Sequence, residues 1–305
     1  MHHAIHTRFV RANGLAFEVD HCGDGDRLAL CLHGFPECSF SWRHQLPVLA
    51  GLGYTAWAPN LRGYGRTSRP GRVADYALPH LLADVAGLID AAGKRSTLLI
   101  GHDWGGAIAW TFALQAMRPL EGLVVLNIPH PKLFFERMLR WPQIARSWYV
   151  FFFQLPLLPE ALFTASNAQA VADAFRNMAV NKHRFPEDVL DVYRRNALLP
   201  GAMTAMINYY RALFRAWPKL PKKTMLETPT LMIWGEQDTA LGKELTVGTE
   251  ALVRDFTLRF LPNASHWVQQ DAPDEVNAIL EEWIKLQKPA VAPTESDATS
   301  CQPPP

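Results

Sequence analysis

The chain has few of the cysteines that build a disulfide framework or a thiolate metal site. Four occur among 305 residues, at positions 22, 31, 38 and 301, and no two of them form a C-x-x-C pair. We therefore expect no bound metal and no disulfide framework, and the composition favours a reducing, cytoplasmic compartment.

An excess of charge of one sign is also absent. The 30 basic and 29 acidic residues leave a formal net charge of +1, without a run of like charges. This balance lacks the electrostatic footprint of a nucleic-acid-binding protein, so we expect no nucleic-acid partner.

Long hydrophobic runs are missing as well. The first eight residues lack the apolar core of a signal peptide. The most apolar stretch, Trp148–Phe163, contains two prolines and a glutamate and is too short to cross a bilayer. The sequence therefore predicts no membrane span.

Hydrophobic residues themselves are plentiful, at 49% of the chain, which is enough for a large core. Apolar runs alternate with stretches of helical periodicity, which is typical of a mostly parallel sheet covered by helices on both faces. The predicted strands are Leu28–Leu32, Tyr54–Ala58, Thr97–Ile100, Leu123–Asn127, Thr230–Trp234 and Thr257–Leu261. An Asn-Gly turn between Arg8–Arg11 and Leu15–Asp20 predicts an antiparallel hairpin at one sheet edge.

The alternation stops between about 133 and 217, where aromatic and Met residues follow helical periodicity. We predict a first α/β core segment at 1–132, an inserted helical lid at 133–217, a second core segment at 218–288 and a disordered tail at 289–305.

One lid helix has a clear apolar face. In Gly201–Ala216, apolar residues occupy positions 203, 206, 207, 210, 213 and 214. This spacing predicts a buried face that includes Tyr210 and leaves Asn208, Tyr209 and Arg211 outside it. A buried phenol needs a hydrogen-bond partner or a substrate, and periodicity alone favours a core tyrosine bonded to a carbonyl group.

The motif most indicative of function is Gly101-His102-Asp103-Trp104-Gly105-Gly106, between a predicted strand and a predicted helix. It has the G-x-nucleophile-x-G pattern of a sharp strand-to-helix turn, with Asp103 at the apex where esterases have serine. A carboxylate nucleophile suits attack on an sp³ carbon, which indicates hydrolysis of an epoxide or a carbon–halogen bond. The alternative is a glycine-rich turn with a capping aspartate.

Such a nucleophile needs oxyanion donors, a base that activates water and an acid that orients the base. Two backbone N–H groups can supply the donors: Phe35, in the loop after a strand, and Trp104, directly after the nucleophile. The candidate base is His266, which follows the last predicted strand and precedes the final helix.

The acid that orients this base should end a preceding strand. Asp238 is the candidate and Glu236 the alternative, both after Thr230–Trp234. Asn127 holds a rival position at the end of an earlier strand but cannot supply the charge. The resulting chain order of nucleophile, acid and histidine is that of the α/β-hydrolases.

These motifs resemble those of the α/β-hydrolase-fold epoxide hydrolases over roughly residues 7–286. The similarity rests on HGFPE at 33–37, RGYG at 62–65 and GHDWGG at 101–106. The resemblance implies the α/β-hydrolase fold, with a mostly parallel central sheet flanked by helices and an inserted helical lid.

Two lid tyrosines strengthen the resemblance, because members of that family use such a pair to bind and protonate the epoxide oxygen. Tyr149 lies four residues before a Phe-Gln-Leu-Pro motif, and Tyr210 lies in an Asn-Tyr-Tyr-Arg motif. The chain departs from the family at Leu157, where Gly is common.

Substrate contacts are expected from Trp104, Phe35 and Phe152. The aromatic lid residues favour an apolar epoxide, or else they form the core of the lid. These residues are Trp141, Trp148, Phe151 and Phe152.

The resemblance implies a two-step reaction that needs no cofactor. Asp103 opens the epoxide and forms an ester, a lid tyrosine protonates the oxygen, and neutral His266 then activates the water that releases a vicinal diol. The expected partner is a small-molecule epoxide, and the protein is expected to be a monomer or homodimer. The alternatives are a haloalkane dehalogenase, disfavoured by Phe35 where those enzymes carry Asn, and a non-catalytic ligand-binding protein, disfavoured by the complete triad.

Overall fold

The structure is a computed structural model that describes residues 3–215 and 225–287. The predicted end of the lid at 217 and the predicted tail at 289–305 lie outside the described residues.

Eight strands form one sheet in the order β1-β2-β4-β3-β5-β6-β7-β8. β3 to β8 pair in parallel, whereas β1 and β2 add antiparallel partners at one edge. The strands are β1 His6–Ala12, β2 Leu15–Cys22, β3 Arg27–Leu32, β4 Tyr54–Pro59, β5 Thr97–His102, β6 Gly122–Leu126, β7 Thr230–Gly235 and β8 Phe256–Leu261. The predicted mostly parallel sheet with an antiparallel edge is confirmed.

The edge hairpin has the turn that its sequence predicts. Asn13 and Gly14 have φ values of 46° and 74°. Both central residues of a type I′ turn need such left-handed backbone, and Asn and Gly tolerate it best. The turn sets Ala12 opposite Leu15 and so fixes the register of β1 and β2.

Helices cover both faces of the sheet, so the central strands are almost entirely buried. One core contains Leu30 and Leu99, and the other contains Leu46 and Trp283. The helices of the α/β core are α1 Leu46–Gly51, α2 Leu78–Ala92, α3 Trp104–Leu114, α10 Val268–Asp271 and α11 Pro273–Leu286.

Six further α-helices lie between residues 131 and 215, in the stretch that separates β6 from β7. They are α4 Pro131–Arg137, α5 Gln143–Arg146, α6 Trp148–Phe152, α7 Leu158–Met178, α8 Glu187–Leu198 and α9 Ala202–Arg215. Helix α7 is interrupted by non-helical backbone at Ala165–Ala168. Side chains of α4, α6 and α9 line one cavity together with Asp103, so these helices cover the carboxyl end of β5.

Among the residues that the structure describes, no helix is both long enough and apolar enough to cross a bilayer.

Candidate active site

Asp103 occupies a strained turn between β5 and α3. Its φ of 48° and ψ of −121° are unfavourable for a residue with a side chain. The turn is possible because its neighbours are glycines in close contact. A Cβ on Gly105 would lie 2.2 Å from the carbonyl oxygen of Leu32, and one on Gly101 would lie 2.5 Å from that of Gly105. This is the geometry of a nucleophile elbow.

The Asp103 carboxylate is buried between a backbone donor and a histidine. Its Oδ1 accepts a 2.8 Å hydrogen bond from the Phe35 N–H, and its Oδ2 lies 3.7 Å from Nε2 of His266. Burial raises the pKa of Asp103, but His266 and the Phe35 N–H outweigh burial and hold that pKa below its ordinary value. Asp103 is therefore ionised, as a nucleophile must be.

The N-terminus of α3 adds to this stabilisation. Asp103 is the N-cap of the helix, where the helix dipole favours negative charge. The Trp104 N–H lies in the first turn, where backbone N–H groups have no acceptor within the helix. Of the two predicted oxyanion donors, the Phe35 N–H contacts the carboxylate, and the Trp104 N–H belongs to the residue that follows it.

His266 lies between two carboxylates. Its Nδ1 donates to Oδ2 of Asp238 at 2.7 Å, and its Nε2 faces Asp103. Burial lowers the pKa of His266, but Asp238 and Asp103 together raise it to about 10. The two negative charges therefore favour the imidazolium in the resting site. The neutral form is predicted only for the later step, in which His266 activates water.

The structure places Asp238, and not the alternative Glu236, against the histidine. Oδ1 of Asp238 accepts the N–H groups of Ala240 and Leu241 at 2.7 and 2.8 Å, which fixes the carboxylate. Glu236 instead pairs with Lys243 at 3.3 Å.

Asn127 has a supporting contact that sequence reasoning missed. Its Nδ2 donates to Oδ2 of Asp238 at 2.8 Å, and its Oδ1 accepts the Gly235 N–H at 2.9 Å. The residue has a φ of 43°, which Asn adopts more readily than most residues. An Asn directly after a strand, opposite the candidate acid, is the signal that could have found it.

A buried polar network under the elbow was also missed. The Glu37 carboxylate accepts the Gly34 N–H and the side-chain amides of two glutamines, Gln269 and Gln270, at 2.8 to 2.9 Å. It also lies 2.7 Å from Nδ1 of His102.

His102 links this network to the segment that contains His266. Its Nε2 lies 2.8 Å from the carbonyl oxygen of His266, and its Nδ1 faces the carboxylate of Glu37. Burial raises the pKa of Glu37, but His102 more than offsets this and lowers it.

The two predicted lid tyrosines meet above the nucleophile. Tyr149 of α6 and Tyr210 of α9 line the same cavity as Asp103, and their ring centroids are 6.0 Å apart. The Tyr210 ring contacts Trp104 and Phe35 at centroid distances of 5.1 and 5.3 Å. Burial and, to a lesser degree, the negative charge of Asp103 raise the pKa of both phenols, so both are protonated.

The prediction that Tyr209 lies outside the buried face of its helix is wrong. Tyr209 is only 1% exposed, and its hydroxyl donates to the carbonyl oxygen of Arg62 at 2.8 Å. Asn208 is buried as well. Helix α9 packs against α7, α8 and the short helix Val73–Tyr76, so more than one face is covered.

The cavity walls differ from the predicted substrate contacts. Trp104 lines the cavity as expected, and Phe35 reaches the site through its backbone N–H. Phe152 does not line it, because its ring packs against Trp148 and Phe153. Residues of α4 and its C-terminal end form the wall that was missed, namely Phe134, Phe135 and Met138.

Three other lid aromatics lie at the surface and neither line the cavity nor form a lid core. They are Trp141, Trp148 and Phe151.

The chain is similar in sequence and in structure to known proteins of one family. The profile of the alpha/beta hydrolase fold matches residues 30–273. Epoxide hydrolase 4 of Mus musculus is 38% identical over 90% of this chain and 78% of that protein. Epoxide hydrolase A of Mycobacterium tuberculosis is 30% identical over 91% and 96% of the two chains.

A solved structure agrees. The crystal structure of Bacillus megaterium epoxide hydrolase in complex with an inhibitor has a TM-score of 0.84 and 29% identity, over 91% of this chain and 100% of that one. The chain therefore belongs to the α/β-hydrolase fold family and, within it, to the epoxide hydrolases. The fold and the family that the sequence motifs predicted are confirmed.

Proposed function

We propose that this protein hydrolyses apolar epoxides to vicinal diols through an ester formed on Asp103. One observation carries the proposal: an ionised carboxylate on a strained elbow shares an apolar cavity with two protonated tyrosines. The carboxylate can attack a ring carbon, while the phenols can supply the proton that the opened oxygen needs. The helices of residues 131–215 act as a lid that provides both phenols and excludes water.

In the first step, Oδ2 of Asp103 attacks, since Oδ1 already accepts the Phe35 N–H. A bond forms between Oδ2 and the epoxide carbon as the ring C–O bond breaks. The electron pair of that bond takes a proton from Tyr149 or Tyr210. An alkoxide is a poor leaving group at neutral pH, so this proton lowers the barrier.

Ester formation then prepares His266 to act as a base. The ester is neutral, so one of the two carboxylates that raise the pKa of His266 loses its charge. The His266 proton replaces the one that the tyrosine gave up, which leaves a neutral imidazole.

In the second step, neutral His266 removes a proton from water, and the water oxygen bonds to the ester carbonyl carbon. Oδ1 becomes the oxyanion and is held by the N–H groups of Phe35 and Trp104. Collapse breaks the bond between the carbonyl carbon and Oδ2, which leaves with the product. The proton of the newly added hydroxyl passes to this departing oxygen, so the diol is released and Asp103 is again a carboxylate beside the imidazolium.

The first experiment measures diol formation and halide release over a panel of aryl epoxides, alkyl epoxides and haloalkanes. Diol without halide supports the proposal. Halide without diol would assign the site to haloalkane dehalogenation, which shares the carboxylate and histidine but needs halide-binding donors in place of a proton donor.

The second experiment traps the ester. With an epoxide that the wild type consumes, His266→Gln should accumulate protein whose intact mass is increased by one epoxide, and peptide mapping should place the addition on Asp103. His183→Gln, a change at an exposed histidine of the lid, is the matched control and should accumulate no adduct. An unmodified His266→Gln protein would overturn the two-step route.

A further inference from the structure

The outer surface of the lid exposes an unusual number of large apolar side chains. Trp141 and Leu157 are each 79% exposed, Leu139 is 65% exposed and Trp148 is 63% exposed. We define the lid patch as the exposed apolar residues of the 139–158 segment, which are Leu139, Trp141, Ile144, Trp148, Phe151, Leu155, Leu157 and Leu158. Large apolar side chains are rarely exposed in such number within one short segment unless they form an interaction site.

Helix α6 connects this patch to the cavity. Trp148 and Phe151, three residues apart, lie on its exposed side. Tyr149 and Val150, on the other side, line the cavity that contains Asp103. A single layer of helix therefore separates the substrate cavity from the lid patch.

The charged residues within the segment 137–158 are all basic, although Glu136 and Glu160 lie just outside it. Residues 137–158 include Arg137, Arg140 and Arg146 and contain no Asp or Glu. Arg146 pairs with Glu244 at 2.9 Å, while Arg137 donates to backbone carbonyl oxygens only. Arg140 is exposed and forms no ion pair with the residues that the structure describes. Two guanidinium groups thus remain without a neutralising carboxylate beside the exposed tryptophans.

This combination disfavours a second copy of the chain as the occupant. In a two-fold symmetric dimer the same patch faces itself, so the arginines of one copy would lie against those of the other. Exposed Trp side chains flanked by Arg instead match the interface of an anionic bilayer, where indole rings lie at the headgroup level and cations attract acidic lipids.

We propose that the lid patch binds the surface of an anionic phospholipid bilayer, with Trp141 and Trp148 inserted at the headgroup level. The protein then lies on the membrane and does not span it. An apolar epoxide dissolved in the bilayer would reach the cavity across the lid. This last point rests on the proposed function, whereas the binding itself does not.

Co-sedimentation with sucrose-loaded vesicles tests the proposal. We expect the full-length protein to sediment with vesicles rich in phosphatidylglycerol and much less with vesicles of phosphatidylcholine alone. Arg140→Glu should weaken binding roughly tenfold, since each basic residue near the surface contributes measurably to attraction. The double variant Trp141→Ala/Trp148→Ala should lose binding to the same vesicles.

Two substitutions on the edge strand β1, outside the lid patch, serve as matched controls for the aromatic and the arginine variants. Phe9→Ala removes a ring that is 52% exposed, and Arg11→Glu reverses an exposed arginine. Both should sediment as the wild type does. Equal sedimentation of patch and control variants, or no sedimentation of the wild type, would overturn the proposal. A dimer of the wild type that the tryptophan variant disrupts would also overturn it.

Failure of the proposed function would have a different signature. Diol formation from a water-soluble epoxide in vesicle-free buffer should be unchanged in the tryptophan variant, because neither side chain lines the cavity. A wild type that binds vesicles but forms no diol would contradict the proposed function and leave the membrane contact standing.

Discussion

At the residue scale, the position of Asp103 depends on glycines that allow other groups to approach it. A Cβ at Gly34 would lie 2.5 Å from both Cβ and Oδ1 of Asp103. Gly34→Ala should therefore displace the nucleophile, and a misplacement of about 1 Å can cost on the order of 10²-fold in rate. We expect that loss in kcat with a consumed epoxide, together with a lower melting temperature.

The matched control for this change is Gly51→Ala at the end of α1. A Cβ there meets no atom within 4 Å, so rate and stability should stay near those of the wild type. Wild-type turnover by Gly34→Ala would contradict the account of the elbow.

The lid tyrosines give a second prediction at this scale. Tyr210→Phe keeps the ring that packs on Trp104 but removes the proton donor. Ring opening should slow by roughly the 10²–10⁴-fold expected of a general acid. Tyr149→Phe tests the second tyrosine in the same way. The rate of Asp103 alkylation in a single turnover measures the effect of each variant. The double variant should lose more than either single variant.

Tyr209→Phe is the neighbouring comparison for these variants. The Tyr209 hydroxyl already donates to the Arg62 carbonyl oxygen, so it has no proton to offer a substrate. We expect at most a several-fold change in the rate of alkylation. A loss as large as that of Tyr210→Phe would reassign the proton donor.

The candidate triad could be predicted from sequence because each member lies in the turn or loop that follows a strand. Asp103 follows β5, Asp238 follows β7 and His266 follows β8. The carboxyl ends of parallel strands meet at one edge of a sheet, so order along the chain is enough to bring them together. The roles of Asn127 and Glu37 depend instead on one backbone angle and on partners more than a hundred residues away, which no local pattern records.

At the element scale, the hydrophobic periodicity of the sequence predicts where helices and strands lie, but it does not always predict which of their faces are buried by neighbouring elements. Central strands are buried on both sides, so their apolar runs were easy to recognise. In helix α9 periodicity predicts one buried face with Tyr210, yet neighbouring helices bury Tyr209 as well. Helix α4 has only seven residues, too few for a period to show that Phe134 faces a cavity.

This wall of the cavity yields a prediction for substrate choice. Phe134→Ala enlarges the cavity without touching Asp103 or the two phenols. The preference should shift toward bulkier epoxides, with kcat/KM for a small epoxide falling roughly tenfold, as loss of apolar contact implies. Kinetics over a series of epoxides of increasing size measure the shift.

Phe152→Ala is the matched control, because its ring packs outside the lining against Trp148 and Phe153. Its size preference should follow that of the wild type. If Phe152→Ala shifts the preference and Phe134→Ala does not, the original prediction of a substrate contact from Phe152 would be restored.

At the scale of the whole molecule, the fold brings two carboxylates close together in a buried site, with a histidine between them. Asp103 and Asp238 are separated by 135 residues in the sequence, yet both lie beside His266. Desolvation of two carboxylates is costly unless a positive charge lies between them. The imidazolium of His266 therefore stabilises the folded chain in its resting state.

Because the two carboxylates favour the charged form of His266, the stability that this residue contributes should fall as pH rises. The pKa of His266 is raised to about 10 in the folded protein, against about 6.5 for an unfolded chain. Its contribution is present in full below pH about 6.5 and is lost as pH rises toward 10. The melting temperature of the wild type should therefore exceed that of His266→Gln by the largest amount at pH 6. The difference between the two melting temperatures should be smaller at pH 8 and smaller still near pH 10. His183→Gln, at an exposed position, is the control, and the difference between its melting temperature and that of the wild type should not change with pH in this way. If the difference between the wild type and His266→Gln stays constant or widens as pH rises, His266 is not held as an imidazolium by its two carboxylates.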